Sequence, residues 1–176
     1  ASHGYKLTGV DITSKLLDDA RGQAARMNLK IEFHLKDMRE ISWENEFNAA
    51  YNFWGSFGYF DEKGNRDFVM TIHRALVPGG KFLIEGHITE TVLPIFSKKD
   101  WHTIDDIIIL EEREFDYINS RIDATWTLIS GTTRFKRFSS MRIHSYCELC
   151  HLLESVGFHN FKAYDTKTGN DFEFGD

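Results

Sequence analysis

Two aspartates in the first quarter of the sequence stand where short apolar runs stop. Asp11 closes Tyr5-Lys-Leu-Thr-Gly-Val10, and Asp37 opens Asp37-Met38-Arg39 just after Ile31-Glu-Phe-His-Leu35, which alternates as a strand. At the carboxyl end of a strand in an open nucleotide-binding sheet, a carboxylate can accept both hydroxyls of a ribose. A second carboxylate, one strand further on, can accept an adenine amino group while the following backbone N–H meets a ring nitrogen. Each aspartate alone also reads as a helix cap or a surface turn, and a ribose-binding carboxylate serves NAD enzymes equally. A third run, Asn52-Phe-Trp-Gly-Ser-Phe-Gly-Tyr-Phe60, is an aromatic, glycine-rich strand exit. Aromatic faces can hold a sulfonium cation by ring-quadrupole attraction, although such clusters more often fill cores.

Of the histidines, His87 is the best placed to act as a base, because it lies just beyond the strand expected over residues 81–85; an ordinary polar loop residue is the competing reading. His73 rides a helix and His34 lies inside a strand. Cys147 and Cys150, the only cysteines, have C-x-x-C spacing in a segment that reads as helix. A zinc site would need two further ligands, such as His144 and His151, and a redox pair would need a preceding strand. Two core-facing, reduced thiols are the simpler expectation, and no metal is called for.

The elements that position these residues alternate. A strand over residues 5–11 is followed by an amphipathic helix capped by Thr13 or Ser14 and running to about Met27. Next come the strand at 31–35, a buried strand at 47–54, and a helix over 66–76 halted by Pro78-Gly79-Gly80. A parallel α/β sheet flanked by helices follows from that order. Residues 107–115 and 121–129 flank the turn-forming Asp116-Tyr-Ile-Asn-Ser120, so an antiparallel hairpin is inserted, with another extended stretch over 132–142. Residues 145–156 resume a helix, Gly157 caps it, and 158–164 read as a strand.

A chain of 176 residues can bury one core, and a formal net charge of −6 disfavours tracking a phosphate backbone. No apolar stretch is long enough for a membrane span and no signal pattern opens the chain, so a cytoplasmic protein with no nucleic acid or membrane partner is expected.

In order, Gly9-Val-Asp-Ile-Thr-Ser14, Asp37-Met-Arg39, Tyr51 to Phe60, and Arg74-Ala-Leu-Val-Pro-Gly-Gly-Lys-Phe-Leu-Ile-Glu85 resemble the landmarks of class I S-adenosylmethionine-dependent methyltransferases that modify small molecules. The resemblance continues through Leu110-Glu-Glu-Arg-Glu-Phe-Asp116, Arg142-Ile-His-Ser-Tyr-Cys-Glu-Leu149 and Leu153-Glu-Ser-Val-Gly-Phe158. It implies a Rossmann-like, mostly parallel sheet, with residues 1–176 forming one domain and residues 91–142 an inserted antiparallel region covering the substrate. It also implies that the family's opening strand and glycine-rich turn precede Ala1 and that a last strand follows Asp176.

By the same resemblance, Asp11 holds the ribose, Ile12 lies against the adenine, Asp37 and Met38 bind its edge, and Asn52, Phe53 and Trp54 flank the methionine end of S-adenosylmethionine. Tyr59, Trp126 and Arg142 line the pocket of a small-molecule methyl acceptor if the hairpin folds over the crevice; a homodimer contact is the rival use of that hairpin. Displacement at a sulfonium releases a neutral leaving group, so alignment and desolvation suffice, with His87 as base where the acceptor is a hydroxyl or an ammonium. The competing readings are an NAD(P)-binding Rossmann enzyme and a degenerate methyltransferase-like binding domain without catalysis.

Overall fold

The computed structural model describes residues 1–53 and 55–174. Strand β1 (Leu7–Asp11) runs parallel to β2 (Ile31–Leu35), in a register from Leu7 opposite Ile31 to Asp11 opposite Leu35. Helix α1 (Ser14–Arg26) makes the crossover and buries Leu17 and Ala24. Thr13 takes the N-cap position, but its side chain makes no capping bond; the carboxylate of Asp11 accepts its backbone N–H instead.

The second parallel pair joins β3 (Phe47–Asn52) to β4 (Leu76–Ile84) through helix α2 (Glu62–Ala75). This helix starts four residues before the expected Arg66, because Asp61 accepts the N–H of Gly64 at 2.7 Å and caps it. The chain then passes straight from Ala75 into β4, so Pro78-Gly79-Gly80 interrupts a strand rather than separating a helix from one. The register jumps from Phe47–Leu76 to Ala49–Lys81 across it, a bulge that Gly79 accommodates at φ 78°. Phe68, Val69, Ile72 and Ala75 of α2 form the centre of the core with Ile41, Phe57 and Leu76.

The parallel α/β character expected from the sequence is present, but β1–β2 and β3–β4 are two separate hydrogen-bonded ladders. This corrects the expectation of a buried strand over 47–54. Strand β3 ends at Asn52 and leaves Tyr51 62% exposed, because among the described residues only its β4 side is hydrogen-bonded to a strand.

The expected hairpin is two strands of a four-stranded antiparallel sheet: β5 (Lys99–Ile104), β6 (Ile107–Asp116), β7 (Arg121–Ser130) and β8 (Thr133–Arg142), in that order. Asp116 shapes the β6–β7 turn by accepting the N–H groups of Ile118 and Asn119. A short helix, α3 (Thr89–Val92), leads into this sheet, and α4 (Tyr146–Glu154) leaves it through a capping box between Ser145 and Glu148.

Two further expectations are corrected here. Residues 158–164 form no strand; they make only the isolated bridge from Tyr164 to Asp171. Phe158 spends its apolar character on packing instead, its ring 5.7 Å from that of Phe82 and 5.0 Å from that of His73. The cysteines do not face the core: Cys147 is exposed and Cys150 partly so, and both are free thiols. No helix among the described residues is long and apolar enough to cross a membrane.

Candidate functional site

Asp11 is the last residue of β1, and one of its carboxylate oxygens accepts the Thr13 N–H at 2.7 Å, which fixes the turn into α1. Ile12, beside it, is 71% exposed and offers an apolar surface at the strand exit. Asp37 follows β2 and caps a 3-10 turn, Met38–Glu40. It accepts the backbone N–H of Arg39 at 2.8 Å and its guanidinium at 2.6 Å, and these hydrogen bonds hold the Asp37 carboxyl below the usual carboxylate range. The side chain of Met38 packs against the core rather than lying open at the exit.

Arg39 joins the two ladders. Its guanidinium lies 4.0 Å over the ring of Phe60, a residue of the β3 exit, so the carboxyl ends of β2 and β3 open on the same edge of the molecule. At that edge Asn52 is buried, and its side-chain Oδ1 has no hydrogen-bond partner. The Asn52 carbonyl accepts the N–H of Glu85 at 2.8 Å, which aligns the β3 and β4 exits. The ring of Phe53 stands edge-on to Tyr51 at 5.0 Å. Trp54 lies outside the described residues.

The antiparallel sheet is fastened to this edge by two arginines. Arg121 donates to the carbonyls of Phe60 at 3.0 Å and Tyr59 at 3.3 Å, and also to Ser140. Arg142 donates its backbone N–H to the Gly58 carbonyl at 2.7 Å, while its side chain bridges Glu62 at 2.7 Å and Glu148 at 3.1 Å. Gly58 sits at φ 100°, and a Cβ there would lie 2.4 Å from the carbonyl oxygen of Arg142, so only glycine allows this approach.

Tyr59 and Arg142 are thus brought together, with Tyr59 half exposed. Trp126 is five residues along β7 from Arg121, about 17 Å at ~3.4 Å per residue. Its Nε1 donates to Ser139 Oγ at 3.3 Å. By strand alternation Trp126 shares a face with Met141, whose side chain lies against Gly58, so that face leans over the β3 exit.

His87 is exposed just after β4. It shares a cavity of about 50 Å³ with His144, whose spacing in the sequence suggests only a metal ligand. His144 is 4% exposed, and its Nε2 makes no hydrogen bond. Burial, reinforced by the nearby Arg142 guanidinium, pulls its pKa below the ordinary imidazole value, with Glu62 and Glu148 opposing. The sequence did carry a signal for its burial: His144 directly precedes a Ser-x-x-Glu capping box, a position whose side chain usually packs inward. A larger cleft of about 700 Å³ opens on the outer side of α2, between Arg39, Arg66, His73 and Ser155, and holds none of the other candidate residues.

This fold is that of solved S-adenosylmethionine-dependent methyltransferases. A solved structure of such an enzyme from Clostridium acetobutylicum ATCC 824 superposes with a TM-score of 0.83 over 96% of this chain and 70% of that one, at 14% identity. The structure of SAM-bound CalS10, an amino pentose methyltransferase from Micromonospora echinaspora, gives 0.69 over 94% and 71%, at 15% identity.

In sequence, residues 1–80 match the family described as Methyltransferase domain. "Putative methyltransferase GWCH70_2453" of Geobacillus sp. (strain WCH70) is 28% identical over 119 residues, 67% of this chain and 45% of that protein. The chain therefore spans less than half the length of this curated relative.

Proposed function

We propose that this chain binds S-adenosylmethionine and a small methyl acceptor, as one domain over residues 1–176 of a methyltransferase, with residues 91–142 as the acceptor cover. The observation that carries the reading is the placement of Asp11 and Asp37 at adjacent exits of one parallel ladder, with Asn52 closing a strand of the other.

The residues present fit an adenosyl group carrying an amino acid. Asp11 keeps carboxylate capacity beyond its bond to Thr13 and would take the ribose hydroxyls, and Ile12 would lie against the purine. Asp37 already receives the backbone N–H of Arg39 on one oxygen and its guanidinium on both, so an adenine amino group would take the place of one of those guanidinium bonds. The Met38 contribution is then its backbone N–H, since its side chain belongs to the core. The unpaired Oδ1 of Asn52 suits an ammonium donor, and Phe53 would flank the methionine end; the role expected of Trp54 falls outside the described residues.

When bound, the cofactor supplies an electrophilic methyl group. The chain orients the acceptor with Tyr59, Arg142 and Trp126, excludes water beneath the antiparallel sheet, and offers His87 as a base toward a hydroxyl or ammonium. A small molecule rather than a nucleic acid suits the net charge of −6, and CalS10, which shares the fold, is named for an amino pentose.

Calorimetric titration of the full-length protein with S-adenosylmethionine, S-adenosylhomocysteine and NAD tests this. Binding of both sulfur compounds, with none of NAD, is expected. Binding of NAD alone, or of none of the three, contradicts it.

A further inference from the structure

The antiparallel sheet has two faces, and the one carrying Trp126 and Met141 leans over the β3 exit. Cross-strand partners share a face and successive residues alternate, so Trp101, Leu110 and Lys136 form one row of the opposite face. Lys99, Glu112 and Phe138 form the next row toward the body, and Ile108 and Arg134 the next toward the tip. At its near end this second face is committed, because Arg121 and Arg142 reach from it to Phe60, Glu62 and Glu148. Farther out it lies open: Trp101 and Phe138 are each 68% exposed, and Ile108 is 40% exposed. Two indole and phenyl rings left to water on one sheet face make a surface that gains by being covered.

The charges on that face say what covers it. The cations Arg134 and Lys136 stand toward the tip, and the carboxylates Glu112 and Glu114 toward the body, all four exposed. Lys99 meets Glu112 at 3.4 Å and leaves it 57% exposed. A nucleic acid or an anionic membrane would meet the carboxylates as well as the cations, and be repelled by them. A second copy of the chain would not. Turned end for end about a two-fold axis across the strands, the face complements itself. The row of Trp101 and Lys136 comes over the second copy's row of Lys99 and Phe138, where each ring meets an ammonium, and the row of Arg134 comes over that of Glu114. Pairing through the β8 edges would instead set Arg134, Lys136 and Arg137 against the same cations, so the face and not the edge is the contact.

We propose that the full-length protein is a homodimer in which two antiparallel sheets pack face to face through Trp101, Ile108 and Phe138, with Arg134 of each copy set against Glu114 of the other. The inference goes beyond the cofactor reading and does not depend on it. The Trp126 face stays free to cover an acceptor, so the two uses expected of the hairpin fall on opposite faces of one sheet.

Sedimentation velocity of the full-length protein, from micromolar to submillimolar concentrations, tests this. A dimer is expected, and Trp101→Ser combined with Phe138→Ser should raise its dissociation constant at least about tenfold. Both side chains are exposed, so the variant should keep the thermal unfolding of an intact fold when compared at monomeric dilution. Arg134→Glu should also weaken the dimer, and adding Glu114→Lys to the same chain should recover most of the loss, which a merely structural role for either residue does not predict. A monomer throughout the series, a dimer indifferent to the serine pair, or a second charge reversal that deepens the loss overturns the proposal.

Discussion

The backbone N–H of Lys36 donates to the carbonyl of Asp11 at 3.0 Å, one residue beyond the last paired position of the β1–β2 ladder. That bond holds the two exits side by side, so Asp11 and Asp37 leave the ladder as neighbours rather than as ends of independent loops. The placement of both carboxylates is thus a property of the backbone, and a conservative change in either side chain leaves it in place.

Asp37→Asn tests the charge of the second carboxylate. Hydrogen bonds from Arg39 lower the folded-state pKa of Asp37, so its stabilising contribution is complete above the ordinary aspartate range and fades as pH falls through the lower folded value. The variant is expected to unfold at lower urea than the wild type at pH 7, with the gap closing in strong acid. Ligand affinity of the wild type should show no titration from this group between pH 5 and 8.

Gly58→Ala forces a side chain into a positive-φ position and against the Arg142 carbonyl. A destabilisation of more than about 2 kcal/mol is expected. Hydrogen exchange should quicken first at the Arg142 amide, whose acceptor is the Gly58 carbonyl.

Arg121→Ala removes the donors that tie Tyr59 and Phe60 to the antiparallel sheet. The Phe60 carbonyl keeps its bond from the Asn65 side chain and the Tyr59 carbonyl is open to water, so the expected cost in urea unfolding is about 0.5–1.5 kcal/mol. Because the bond from Arg142 to Gly58 persists, the sheet should stay folded, and acceptor affinity should suffer more than nucleoside affinity.

What the sequence disclosed follows from which forces act locally. The strand ends at Asp11 and Leu35, the helix between them and the Ser145 cap depend on near neighbours, and each was legible to within a few residues. The start of α2 was missed because Asp61 lies ahead of the first strongly apolar position. Strand β5 was missed because Lys99-Asp-Trp-His-Thr-Ile104 is an exposed edge held by the register of β6, with no buried face to impose alternation.

The strand predicted over 158–164 failed for the opposite reason: its apolar residues were real, but Phe158 spends them on the core. Among the site residues, the exits announced themselves, whereas the Asp37–Arg39–Phe60 contact and the burial of His144 are long-range, and spacing alone does not encode them.

The most direct measurement is the affinity of the full-length Asp11→Ala variant for S-adenosylhomocysteine, with thermal unfolding recorded in parallel. Losing hydrogen bonds from ribose hydroxyls to a charged acceptor should weaken binding roughly 10- to 100-fold, at about 1.5–3 kcal/mol, while the fold stays intact. An unchanged dissociation constant in a folded variant would contradict the account.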